Sequence, residues 1–197
     1  MDKYFSFDSH IDIENIYRKM KGTLYFLHRN KSNFDKISRK LLIEPLVSSS
    51  IFHCSTVWNG ASKLNIQKLQ HIQNFASKVA IGNGKKYDHA TPYINKLEWL
   101  KLENKIVYDV CLFIYKILYE RIPQGILRLE FVDQIRSRQT RQSSHLMVPR
   151  RRTVIADRAV SVRGPKLWNA LPEEIKECGN FSAFKKKLKS HLFIKQQ

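Results

Sequence analysis

Between Leu102 and Tyr119 the chain reads LENKIVYDVCLFIYKILY, apolar almost all the way round a helix. A helix without a solvent face has to be covered by other elements, so this stretch predicts a bundle with itself in the middle. Its most apolar run, 106–118, is too short to span a bilayer and is interrupted by Asp109 and Lys116. Lys105–Asp109 and Lys116–Glu120 sit four apart, where ion pairs support a helix.

The covering helices are legible from spacing. Residues 10–29 carry Ile13, Ile16, Tyr17, Met20, Leu24 and Leu27 on one face, with Ser9 and Asp12 as a capping box at the start. Ser32 with Asp35 repeats that signal before a second helix bearing Ile37, Leu41 and Leu42, which Pro45 must kink or restart. A third helix runs from Leu64 to Ile81, with Leu69, Ile72, Phe75, Ala76 and Val79 on one side. Gln70, Asn74 and Lys78 lie on the other, and Gly82 ends it. Thr91–Pro92 reads as a cap followed by proline at the first helical position, opening a short turn that ends near Trp99.

The character changes after Pro123. Residues 134–163 hold Arg136, Arg138, Arg141, Arg150, Arg151, Arg152, Arg158 and Arg163 with Asp157 as the single acid. Periodicity is poor there, although 153–162 alternates loosely enough to suggest a short β-ribbon. Gly164 and Pro165 then predict a bend, after which Leu167, Trp168 and Leu171 fall on one side of a helical turn and Pro172 starts another. From Asn180 a last helix carries Phe181, Phe184, Leu188 and Leu192 in a stripe, flanked by Lys185, Lys186, Lys187 and Lys189. The expectation is a mainly α protein: a helical bundle (1–122), an extended basic arm or ribbon (123–163), and a Trp-anchored motif with a basic amphipathic C-terminal helix (164–197). Trp168, Leu171 and Pro165 are its structural anchor, pinning the arm to the core.

Charge says what such a chain meets. It has 35 Lys and Arg against 17 Asp and Glu, a formal net charge of +18, which a fold does not require. That excess points to polyanions, with RNA or DNA phosphates as the partner. Cys54, Cys111 and Cys178 have neither disulfide nor zinc-site spacing, and His53–Cys54 has no second pair. The acidic, mixed start MDKYFSFDSHIDIE is not a signal peptide, so the chain reads as soluble and intracellular, nuclear or cytoplasmic, with no membrane partner. VAIGNGKK (79–86) lacks phosphate-loop spacing and follows a helix, where Gly82 serves as a cap. Glu173–Glu174 follow Pro172 in a first helical turn, where carboxylates offset the helix dipole. They do not form a converging metal site, so no catalytic residue and no cofactor are expected.

The stretch RAVSVRGPKLWNALPEEI…FSAFKKKLKSHLF resembles the C-terminal end of reverse transcriptases from non-LTR (LINE-type, Jockey-like) retrotransposons. Those proteins carry Gly-Pro-x-Leu-Trp-Asn-x-Leu-Pro followed by Phe-Lys-Lys-x-Leu-Lys. DKYFSFDSHIDIENIYRKMKGTLYFLHRN is similar to the entry into the polymerase thumb. VWNGASKLNIQKLQHIQNFASKVAIG and YDHATPYINKLEWLKLENKIVYDVCLFIYKIL resemble the helices that follow it. The resemblance implies a thumb and post-thumb region that holds a primer–template duplex or the element RNA. The palm, its Tyr-x-Asp-Asp turn and its Mg2+ would lie ahead of Met1, so the chain alone would be inactive and the palm and fingers would be its partners. The basic arm and the lysine helix are the expected contact. The alternatives are a stand-alone or domesticated nucleic-acid-binding module, or a protein-interaction domain whose basic face meets an acidic partner.

Overall fold

A computed structural model describes residues 10–49, 62–85, 87–120, 127, 129–135, 145–157 and 159–196. The chain is mainly helical, and among the described residues the β pairing is a single isolated bridge. Its contacts divide into two compact units, one drawn from Met1–Ser55, Ala61–Lys105 and Phe193–Gln197, the other from Thr56–Gly60 and Ile106–Leu192.

In the first unit, α1 (His10–Arg29) buries Ile13, Met20, Leu24 and Leu27, as the spacing predicts, against α3 (Lys63–Ile81). Helix α3 starts where the Ser62 side chain accepts from the Asn65 amide and stops at Gly82, whose φ of 87° lies in the left-handed region. The second helix, α2 (Lys36–Ile43), starts later than its sequence signal suggests. Asp35 is the cap, accepting from the Ser38 amide at 3.0 Å, whereas Ser32 lies in a 3-10 turn and bonds Asn33. Ile37 and Leu41, expected on the apolar side, face solvent, and Ile43 is the buried residue of the helix. At Pro45 the helix widens into a π turn, Glu44–Ser48, which absorbs the missing amide. In α4 (Thr91–Lys96) the cap is Ala90, so Thr91 and Pro92 are both inside the first turn and Thr91 caps nothing.

Polar side chains fasten this unit at points the apolar pattern does not mark. Arg39 donates from Nη1 to the carbonyls of Lys31 and Phe34 at 2.8 and 2.9 Å. Its Nε and Nη2 reach the Ala80 and Ile81 carbonyls, both at 3.3 Å, closing the end of α3 over α2. A Cβ on Gly82 would come within 2.5 Å of that guanidinium, so this glycine is required twice over. Gln70, on the side opposite the apolar stripe, is half-buried and accepts from the Leu102 amide at 2.8 Å, capping α5 (Leu102–Tyr119) from another helix. Gln196 caps the neighbouring Lys101 amide at 2.9 Å and donates to the Trp99 carbonyl.

In the second unit, α5 contributes Ile106, Tyr108, Val110, Cys111, Ile114, Tyr115 and Ile117 to the core. The other elements are α6 (Val132–Ile135), α7 (Val154–Asp157), α8 (Val160–Asn169), α9 (Glu173–Lys176) and α10 (Phe181–Lys195). The centre is aromatic: Tyr115 stacks on Phe184 at 4.5 Å, and Trp168 packs 5.6 Å from Phe184. The ribbon expected over 153–162 does not form. Thr153 Oγ1 accepts from the Ala156 amide, starting a helical turn, and Lys166 pairs with Asp157 at 2.7 Å to fasten α7 to α8. Nor do Gly164 and Pro165 make a bend, because both are buried inside α8. A Cβ at Gly164 would lie 2.9 Å from Ile114 Cδ1, so the glycine lets α8 press on α5. Burial of Val162, Pro165 and Trp168 along that contact offsets the one backbone bond that Pro165 cannot make.

Candidate nucleic-acid interface

Of the expected anchor residues, Trp168 is 2% exposed, Leu171 7%, and Pro165 is buried within α8. Asn169, beside Trp168, does work that spacing alone does not show. Its Oδ1 accepts from the Leu146 amide at 2.8 Å and its Nδ2 donates to the Leu146 carbonyl at 2.9 Å. The carboxamide thus pairs with residue 146 as a neighbouring strand would.

On its other side the same backbone pairs antiparallel with Phe131. The Val132 amide donates to His145 and the Met147 amide to Glu130, at 2.9 and 2.8 Å. Leu146 itself is buried to 1%. The segment is therefore clamped from both sides just before it turns basic. A few residues on, Arg150, Arg151 and Arg152 are exposed, and none has a hydrogen-bond or ion-pair partner among the described residues. An exposed arginine fork can grip a phosphate through two parallel hydrogen bonds.

The lysine helix gives a second set. In α10, Phe184, Leu188 and Leu192 are buried, while Lys185, Lys186 and Lys189 are exposed and have no partner among the described residues. Lys187, also exposed, donates to the Glu174 carbonyl at 3.3 Å. Arg163 lies half-buried on α8. Arg136, Arg138, Arg141 and Arg158 lie outside the described residues, as do His53, Cys54 and the Ser9 cap.

No family model matches this chain, and neither does any curated protein or any solved structure. The site therefore has to be read from its own chemistry. Glu173 and Glu174 open α9 as expected, and the Glu173 carboxylate accepts from the buried Lys176 ammonium at 2.9 Å. Cys111 is fully buried and burial pushes its thiol up to about 12, so it packs as a small apolar group. No helix among the described residues is long and apolar enough to cross a membrane.

Asn169 had one sequence hint. Asparagine is a poor helix former, and its place at the last turn of a helix suggests that its side chain is wanted for a bond. Which backbone it would meet, 23 residues earlier, no local pattern could say.

Proposed function

We propose that this chain is the thumb and post-thumb region of a non-LTR retrotransposon reverse transcriptase, binding RNA or DNA through backbone phosphates and leaving catalysis to a palm outside these residues. The observation that carries the binding is the set of exposed cations, Arg150–Arg152 and Lys185, Lys186 and Lys189, with no partner among the described residues, the first set following the Leu146 backbone that Asn169 holds and the second lying on the helix that buries Phe184. The net charge of +18 supplies the long-range attraction. The Gly-Pro-x-Leu-Trp-Asn-x-Leu-Pro resemblance supports the retrotransposon origin, and the helical architecture agrees with it.

Phosphate neutralisation releases counterions, so affinity should fall steeply with salt. Reversing Arg150, Arg151 and Arg152 to Glu should weaken RNA and DNA binding uniformly across sequences. The slope of log affinity against log salt should become shallower by about 1 for each arginine lost. Fluorescence anisotropy against salt measures both, and unchanged binding would remove the arm from the interface. Reading the transcript ahead of Met1 tests the origin: a frame continuing into a Tyr-x-Asp-Asp palm is expected. A frame that closes there leaves a domesticated binding module. Loss of nucleic-acid binding with retained binding to one acidic protein would favour a protein-interaction domain.

A further inference from the structure

A recess of about 620 Å³ opens in the first unit between α1, α3 and the loop that reaches Ala90, within the size range of ligand sites. It is built by two helix faces. Tyr17, Lys21, Tyr25 and His28 recur at four-four-three spacing along α1, and His71, Phe75 and Lys78 do so along α3. On α1 the lysine stands between two tyrosines, and on α3 Lys78 follows two rings.

The rings form a platform. Tyr25 and Phe75 meet with centroids 5.3 Å apart at 59°, and His28 meets Phe75 at 5.9 Å. Tyr25 nevertheless keeps 47% of its surface in water, an aromatic face that folding left unused. The cations stand around it. Lys21 Nζ lies 5.5 Å from the Tyr17 ring centre, and Lys78 and Lys85 line the opposite side. Gly84 makes that side possible: a Cβ there would sit 2.6 Å from Lys78 Cβ, so only glycine lets the loop cross α3 this closely. The one carboxylate among the lining residues, Asp88, accepts from the Tyr93 hydroxyl at 2.6 Å and the Lys85 amide at 2.8 Å, and its charge faces Lys78 and Lys85, so one negative charge is set against the three lysines of the recess. Among the described residues no three His, Cys, Asp or Glu groups could hold a metal ion, and His28 packs as a ring on Phe75.

Flat faces beside ammonium groups suit a ligand that is itself a flat ring carrying phosphate. A duplex offers phosphates but no free base face, and an acidic peptide offers charge without rings. Single-stranded nucleic acid offers both. We propose that this recess is a stacking site for unpaired nucleotides of a single strand, with bases on Tyr25 and Phe75 and phosphates met by Lys21, Lys78 and Lys85. It goes beyond the phosphate reading of Arg150–Arg152, because it requires free base faces, and the two can fail separately.

The test uses the whole chain, labelled octathymidylate and a labelled DNA duplex, at about 0.15 M salt. Tyr25→Ala should weaken octathymidylate binding roughly tenfold or more, the scale of a lost base–ring stack, and leave duplex binding unchanged. Tyr25→Trp should restore it, which a merely destabilised helix would not allow. Photo-cross-linking an oligonucleotide carrying 5-bromouracil should place adducts on Tyr17, Tyr25 or Phe75. Arg150–Arg152 reversal should instead weaken duplex and single strand alike. The proposal is overturned if Tyr25→Ala and Lys21→Ala/Lys85→Ala bind octathymidylate as the unaltered chain does, or if adducts fall only on other segments. It is overturned as a strand site if thymidine monophosphate displaces the octamer mole for mole.

Discussion

The two units use arginine in opposite ways. In the first, Arg39 is turned inward and spends its fork on four backbone carbonyls of residues 31, 34, 80 and 81. In the second, Arg150–Arg152 are exposed with no partner among the described residues, while an asparagine holds the backbone at Leu146 before them. The contrast teaches that net charge does not locate an interface. A guanidinium near orphaned helix-end carbonyls is a structural clasp, and the same group beyond a clamped segment is free to bind a phosphate.

The sharpest way to break the comparison is at the anchor of the second unit. Trp168→Ala removes the ring that packs on Phe184 and Tyr119 and should cost about 3–5 kcal/mol of stability, read by urea denaturation. An effect below about 1 kcal/mol would show that the aromatic core does not hold the arm.

Arginine chemistry sharpens it next. Arg39→Lys keeps the charge but loses the fork, and should destabilise by about 2 kcal/mol with nucleic-acid affinity unchanged. Arg151→Lys should do the reverse, leaving the melting temperature alone and weakening binding only slightly. If both substitutions act alike, the inward and outward roles are wrongly assigned.

Asn169→Ala separates clamp from charge. It leaves Leu146 without its side-chain partner, should cost about 1–3 kcal/mol, and should weaken RNA binding although no cation is lost. Asn169→Asp keeps the acceptor but sets a carboxylate against the Leu146 carbonyl, so it should not rescue.

Titration gives the smallest effect and divides the units by pH. In the second, burial pushes Cys111 and Tyr108 up to about 12, with the Asp109 charge adding to the latter. The unfolded chain then loses protons first, so this contribution is intact below the ordinary thiol and phenol range and is lost as pH rises toward 12. In the first unit the Tyr93 hydroxyl and Lys85 amide hold Asp88 below the ordinary carboxylate range, and Ser38 does the same for Asp35. Their contribution is present above that range and is lost as pH falls through the lowered values. Amide hydrogen exchange should show α2 and residues 87–90 yielding at the acid edge and α5 at the alkaline edge. Asp88→Asn should flatten the acid response and also remove the hold that keeps the Tyr93 hydroxyl above the ordinary phenol range, leaving the alkaline response of α5 unchanged.

How much of this could be read beforehand follows from range. The sequence determined α1, α3, α5 and α10, because their apolar residues repeat at the helical period and each stripe needs only a neighbour to cover it. It determined the stop at Gly82 and the burial of Trp168 for the same local reasons. Only the tertiary structure decided that 153–165 is helical and not a ribbon with a bend. A loose alternation cannot compete with the close contact that Gly164 permits against Ile114, 50 residues away in the chain. It also decided what the polar residues do. The backbone partners of Gln70, Arg39, Asn169 and Gln196 lie 23 to 97 residues distant, apart from the two nearer carbonyls of Arg39. A hydrogen bond depends on where two groups meet in space, and periodicity carries that information for one helix at a time.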